Sequence, residues 1–186
     1  RPENYADFAQ WAASQFANQT HSTKSADSSK LGQKGPTRGK VFGAAVIEVY
    51  DPSVGAYRTK IGITMSGPGL SESGLTSHGY SRTMKNGAST YEKILNQAKA
   101  FGIEDSIEFV PNNAGRGVTH AEPILDDWAN KQSNTVGGRT YTAKKHSIST
   151  VRKWTDGEVR VEPPCSSGAD CHGKFGDRWQ MKDPID

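Results

Sequence analysis

Apolar positions recur at helical spacing along residues 3–18. Tyr5, Phe8, Ala12 and Phe16 share one face, with Ala9 beside them and Trp11 to one side. This pattern predicts an amphipathic helix packed on a core. The period then changes. Residues 41–50, Val-Phe-Gly-Ala-Ala-Val-Ile-Glu-Val-Tyr, are almost continuously apolar, which predicts a central strand covered on both faces. Asp51-Pro52-Ser53-Val54-Gly55 has turn chemistry. Residues 57–66 alternate, with Tyr57, Thr59, Ile61 and Ile63 set against Arg58, Lys60, Gly62 and Thr64. Together the two runs predict an antiparallel hairpin.

Further along, residues 90–101 predict a helix. Ser89 or Thr90 is its N-cap, and Tyr91, Ile94, Leu95, Ala98 and Phe101 form its buried stripe. Ile107-Glu108-Phe109-Val110 predicts a short strand, and Pro111–Gly117 a loop. Residues 119–131 predict a second amphipathic helix, with Ile124, Leu125 and Trp128 turned inward. Thr119 is the expected N-cap, with Glu122 completing a capping box. Pro123 is tolerated there because amides of the first turn have no intrahelical partner. Residues 132–157 are polar and commit to no period, although Thr140–Thr142 and Ser147–Trp154 have β-branched character. Glu158–Glu162 alternates as a strand that Pro163-Pro164 ends, and a last short strand falls near Arg178–Met181. Residues 19–39 and 67–89 are rich in Ser, Gly, Lys and Thr and read as mobile loops.

Composition narrows this picture. A chain of 186 residues suits one domain spanning 1–186 and is short for two. Hydrophobic residues make up 33% and there are 20 glycines, so a modest core with long polar loops is expected. The net charge of +3 permits a nucleic-acid partner without requiring one. No apolar run reaches the length of a membrane span, so no membrane partner is expected, and a monomer is. The chain opens at Arg1, as a processed form or an excised domain would.

Candidate chemistry lies in two places. His120-Ala121-Glu122 opens the second predicted helix, directly after a glycine-containing loop. Side chains two apart can splay around a helix start, whereas mid-helix they point apart. The only two cysteines, Cys165 and Cys171, follow Pro164 and are separated by five residues. By themselves they suit a local disulfide, two free thiols or two metal ligands. His172 could stand in for one of them. A non-enzymatic secreted binding domain with a Cys165–Cys171 disulfide is therefore one reading. Absence of His-Glu-x-x-His argues against the commonest zinc peptidase pattern. The other reading joins both places: His-x-Glu followed by Pro-Cys…Cys is the pattern of zinc nucleobase deaminases. His120, Cys165 and Cys171 would then ligate zinc, leaving a fourth position for water, and Glu122 would move protons.

On these residues, and on the order hairpin, His-Glu helix, strand, Pro-Cys turn, the chain resembles the zinc-dependent cytidine deaminase superfamily. It is most similar to the DNA-acting deaminase domains of bacterial polymorphic toxins. The resemblance implies a three-layer α/β cytidine-deaminase-like fold, a mixed sheet flanked by helices. Residues 67–117 would form a large insertion between the second strand and the motif helix. It implies hydrolysis of cytosine to uracil in nucleic acid, with Zn2+ as cofactor and DNA favoured over RNA. RNA or a free nucleoside is the alternative substrate. It also implies a delivered toxin domain acting in a target-cell cytoplasm, with an immunity protein as a second candidate partner. Candidate substrate contacts are Lys144, Lys145, Arg152, Lys153 and Arg160 for phosphate, and Tyr80 or Trp154 for base stacking. Two departures stand out. The family's cysteines are usually two to four residues apart, so Ser166–Asp170 has to loop out between ligands. Little chain also follows Cys171.

Overall fold

The computed structural model describes residues 2–19, 41–67, 69–70, 96–100, 107–153, 158–161 and 179–181. Its backbone is a six-stranded mixed sheet with a helix on each face. Helix α1 (Pro2–Gln19) is followed by strands β1 (Val41–Asp51), β2 (Ala56–Met65) and β3 (Ile107–Phe109). Then come helix α2 (Ala121–Asn130), a small hairpin of β4 (Asn134–Val136) and β5 (Arg139–Tyr141), and strand β6 (Lys144–Lys153). The last strands are β7 (Val159–Val161) and β8 (Gln180–Met181). Residues 96–100 are helical, with Ala98 buried, within the helix expected at 90–101. The rest of that helix, and the loop at 19–39 except Gln19, lie outside the described residues.

The predicted hairpin forms as β1 and β2, paired antiparallel from Phe42↔Met65 to Asp51↔Ala56. Its turn closes on Asp51. The Gly55 amide donates to the Asp51 carbonyl (2.9 Å), and Gly55 takes a φ of 64°. The Ser53 hydroxyl and amide both donate to Asp51 Oδ1 and hold that carboxyl below the usual carboxylate range. The spatial strand order is β3-β2-β1-β6-β7, with β8 also on β6. β1 is thus central, as its apolar run predicts. β6, from the stretch without a clear period, is its other neighbour and runs antiparallel to it. β3, from within residues 67–117, is the edge strand beside β2 and parallel to it.

Alternation along the strands builds two cores. Phe42, Ala44, Val46, Ile61, Ile63, Met65 and Val151 meet Phe8, Ala9, Ala12, Ala13 and Phe16 of α1. Ala45, Ile47 and Ile148 meet Ile124, Leu125, Trp128 and Ala129 of α2 on the opposite face. Two glycines let α2 lie close. A Cβ added at Gly43 would stand 3.1 Å from Ala121 Cβ and 3.2 Å from Leu125 Cδ1. One added at Gly62 would stand 2.6 Å from the Trp128 ring. The Trp128 indole also donates to Glu108 Oε2 (3.0 Å), tying the end of α2 to β3.

The β1–β6 ladder contains a bulge. Val46 pairs with Ser147, but Ile47 pairs with Lys145, so His146 is the extra residue. A strand turns alternate side chains to alternate faces, so one inserted residue reverses the faces of all that precede it. Without the bulge Lys145 would face α1; with it, Lys145 faces α2. His146 instead packs edge-on against Tyr5 of α1 (5.1 Å between ring centroids), with Nε2 at 3.3 Å from Glu48 Oε1.

Because Trp128 fills the space where a Gly62 Cβ would lie, Gly62→Ala should destabilise the fold by about 1–3 kcal/mol. Urea unfolding should show a lower midpoint at unchanged slope. An unchanged midpoint would mean that the ring is not held against β2.

Candidate functional site

The His120-Ala121-Glu122 stretch opens a helix, as its composition predicts. The expected capping box at Thr119 does not form. His120 itself is the N-cap residue, with extended backbone (φ −78°, ψ 148°) and no side-chain cap hydrogen bond. The helix therefore starts one residue later than the Thr119 reading placed it, and Glu122 is its second residue, not its third. The His120 ring is exposed, whereas Glu122 is only 6% exposed. The two residues thus differ sharply in exposure at the helix start.

The approach to His120 is fixed by the preceding loop. Asn112 is its centre. Its side-chain amide donates to the carbonyls of Gly67 (2.7 Å) and Val118, and its side-chain oxygen accepts from the Ala114 amide (3.1 Å). Backbone bonds from Gly67 to the Thr119 carbonyl (2.7 Å) and from Leu70 to the Val110 carbonyl (2.9 Å) join the loop to the chain leaving β2. Thr64, buried on β2, donates to the same Val110 carbonyl (2.6 Å). Gly69 has a φ of 76°, and a Cβ there would meet the Asn112 backbone, so only glycine admits this crossing.

The start of α2 sits over the β1–β6 pair. Ala121 and the Thr150 side chain both approach the Cβ position of Gly43, at 3.1 and 3.3 Å. This is the end of the sheet where β6 finishes and β7 begins. Arg152 and Arg160 are cross-strand partners there, and alternation from Thr150 turns both toward the α2 side. The Arg160 guanidinium also pairs with Glu158 (3.0 Å).

The other expected phosphate contacts on β6 do not join them. Lys144 lies at the opposite end of β6, its ammonium 4.2 Å from the centre of the Tyr57 ring. Lys145 faces inward, its side chain 15% exposed, and pairs with Asp126 of α2 (2.7 Å). Nothing is described of the Lys153 side chain, and Tyr80, Trp154, Cys165, Cys171 and His172 lie outside the described residues. Among the described residues, no group of three His, Cys, Asp or Glu could hold a metal ion, and no helix is long and apolar enough to cross a membrane.

Three residues near the site escaped sequence reasoning: Asn112, Asp126 and Trp179. Asn112 had a weak signal, an Asn in a proline- and glycine-bounded turn. The signal for Trp179 is its size and apolar character in an otherwise polar tail. No family model matches this chain, and neither curated proteins nor solved structures yield a match.

Asn112→Ala removes the donor for two loop carbonyls at once. It should lower stability by about 1–2 kcal/mol and speed hydrogen exchange at the Gly67 and Val118–Glu122 amides relative to those of β1. Unchanged exchange across that stretch would show that Asn112 does not hold the loop.

Proposed function

We propose that this chain is a zinc-dependent deaminase domain that converts cytosine to uracil in nucleic acid, DNA first among the candidates. The observation that carries this reading is the helix start: His120 as N-cap with an exposed ring, and Glu122 buried two residues on. Both sit where β7 adjoins β6. β7 ends with Val161 paired to Val151, next to the Thr150 that borders Ala121. Cys165 follows Val161 by four residues, a span of at most about 14 Å of extended chain. The order β2-β1-β6, with β6 reached from the motif helix through the β4–β5 hairpin and antiparallel to β1, supports the deaminase-like three-layer fold.

One imidazole and two thiolates form a borderline-soft donor set that suits Zn2+, so His120, Cys165 and Cys171 are the residues that would hold it. The ion supplies a Lewis acid that makes water nucleophilic at neutral pH. Glu122 accepts the first proton of the attacking water and passes it to N3 of the ring as the oxygen bonds to C4. It then takes the proton left on that hydroxyl and delivers it to the amine as the C4–N4 bond breaks, so that cytosine and water become uracil and ammonia. The buried position of Glu122 shields that proton from bulk solvent. Arg152 and Arg160, side by side at this end of the sheet, supply positive charge for a phosphate beside the target base. That pair favours a nucleotide chain over an uncharged nucleoside.

The test incubates zinc-loaded protein with single-stranded DNA, duplex DNA, RNA and free cytidine, followed by sequencing or chromatography for uracil. Wild type should convert at least one polymer. Glu122→Ala should keep one zinc per chain and lose activity by about 10^3-fold, within the range for loss of a general acid–base group. Arg152→Ala should raise KM on the polymer more than it lowers kcat. A folded wild-type protein that binds no zinc would overturn the proposal, as would full activity in Glu122→Ala.

A further inference from the structure

The loop that leads into α2 carries an arginine that the chemistry above does not use. Residues 112–119 are pinned near both ends. Lys131, the C-cap residue of α2, donates to the Asn113 carbonyl (3.2 Å). The Asn112 side chain and the Gly67 amide hold the carbonyls of Val118 and Thr119. Between these anchors the Val118 amide donates to the Gly115 carbonyl (3.3 Å), which closes a β-turn with Arg116 and Gly117 at its corners. Gly117 has a φ of 82°, as the third position of a type II turn requires, and Gly115 has a φ of 116°. A Cβ at either glycine would meet nothing within 4 Å, so backbone angle and not crowding calls for glycine here. The turn thus stands clear of its surroundings and presents Arg116 as an exposed residue.

Arg58, Arg139 and Arg160 are each engaged by a carboxylate or a ring. Arg116 has no hydrogen bond, ion pair or ring contact among the described residues. Its backbone is fixed, yet its guanidinium is unclaimed. The sheet defines where it stands. Gly67 lies two residues past β2 and bonds both Asn112 and Thr119, so the loop passes beside the end of β2. Ala121 sits over Gly43 of β1. Arg152 and Arg160 are on β6 and β7, beyond β1 from β2. The exposed His120 and the start of α2 therefore lie between the Arg116 loop and the Arg152–Arg160 pair. β2 and β6 are two strand spacings apart, about 10 Å.

We propose that Arg116 is a second phosphate contact, across the helix start from Arg152 and Arg160, and that the substrate is a nucleotide strand with a phosphate on each side of the target base. This rests on the deaminase reading above, which puts that base at His120 and Glu122. A guanidinium suits phosphate because its planar fork donates two parallel hydrogen bonds. A free nucleoside offers neither set of cations a phosphate, and a nucleotide with one phosphate satisfies one side only. A strand laid across the start of α2 meets positive charge on both sides, from a turn and from the sheet. Held at two points, it presents the base between them in a defined position. Arg116 touches the backbone of the strand, so it adds affinity without selecting the base.

The test compares zinc-loaded wild type with Arg116→Ala, Arg116→Lys and Arg58→Ala, the last at the far end of the sheet beside Asp51. Binding is read in a Glu122→Ala background, which prevents turnover, by fluorescence anisotropy of labelled single-stranded DNA and RNA oligonucleotides with one cytosine, over a range of salt. Turnover is read on cytidine, on dinucleotides with the cytosine first or last, and on a trinucleotide with it in the middle, in deoxy and ribo forms. Arg116→Ala should weaken strand binding by about 5–10-fold. It should also flatten the slope of log affinity against log salt by about 0.7, the value for one phosphate contact on a single strand. Arg116→Lys should keep that slope, and Arg58→Ala should change neither quantity. In turnover, Arg116→Ala should raise KM with kcat little changed, and the trinucleotide should lose its kcat/KM advantage over one of the two dinucleotides. An unchanged salt slope in Arg116→Ala would overturn the inference and leave the deaminase reading standing. So would an equal loss in Arg58→Ala, or a wild type that converts cytidine as well as the trinucleotide. A folded wild type that binds no zinc, or converts none of these substrates, would overturn the deaminase reading and this inference with it.

Discussion

The close seating of α2 on the sheet is the constraint on which the rest depends. Two glycines make it possible, one under each end of the helix. Gly43 of β1 leaves room for Ala121 and Leu125, and Gly62 of β2 leaves room for the Trp128 ring. A side chain at either point would lift one end of α2 and tilt its axis. The N-terminal end matters most, because it carries His120 and Glu122. With Ala121 pressed toward Gly43 and Thr150, Glu122 is buried while the N-cap residue stays exposed. The same backbone geometry thus gives two neighbouring polar residues opposite environments.

The two faces of the sheet are finished differently. The α1 face is closed by a nearly all-apolar cluster in which small alanines on α1 meet larger residues on β1 and β2. The α2 face includes a buried ion pair, Asp126–Lys145. Such a pair gives up much of its Coulombic gain to desolvation, so it contributes little net stability over a well-packed apolar pair. Its structural effect is selective. It demands that Lys145 point to α2, and the ladder meets that demand with a bulge at His146. The displaced histidine is accommodated by Tyr5 and Glu48 on the other face. One inserted residue therefore assigns two polar side chains to two different layers.

Much of this was legible in the sequence where period and turn chemistry agree. The stripe Tyr5, Phe8, Ala12, Phe16 gives α1, the apolar run 41–50 gives a central strand, and the Asp51–Gly55 turn sets the register of β2. Residues 144–153 were harder. β6 is central, yet it carries lysines at both ends and Ser147, Ser149 and Thr150 within, so no clean alternation shows. Its burial comes from neighbours on both sides, which composition does not reveal. The bulge hides the pattern further, since it breaks the two-residue period at the charged residues that would mark a face. The β4–β5 hairpin rests on Gly137 and Gly138, both at positive φ, a signal diluted by the many glycines elsewhere. The helix start at His120 was legible, but its cap was not. Thr119 and Glu122 have the spacing of a capping box, and the carbonyl of Thr119 is instead taken by the Gly67 amide, which draws that residue into the loop.

The two ends of the sheet also differ in a way that bears on where a charged substrate can lie. At the end away from the start of α2, Tyr50 and Tyr141 stack in parallel (3.8 Å, 7°) and Tyr57 meets Tyr50 edge-on. Arg139 lies over Tyr141 and Lys144 over Tyr57, so both cations are engaged by rings. Asn134 donates to the Tyr50 carbonyl (2.8 Å), which anchors the β4–β5 hairpin to β1. This column fastens a hairpin, and its ring faces are largely covered by one another or by cations, which leaves little room for an incoming base. The opposite end has Arg152 and Arg160 as neighbours, beside the helix start and the strand that leads to Pro164-Cys165. Positive charge at that end stands next to the proposed chemistry, while positive charge at the other end holds the fold. On the proposed reading, Arg152 and Arg160 are therefore cations beside the chemistry, while Lys144 packs on Tyr57 at the far end of β6.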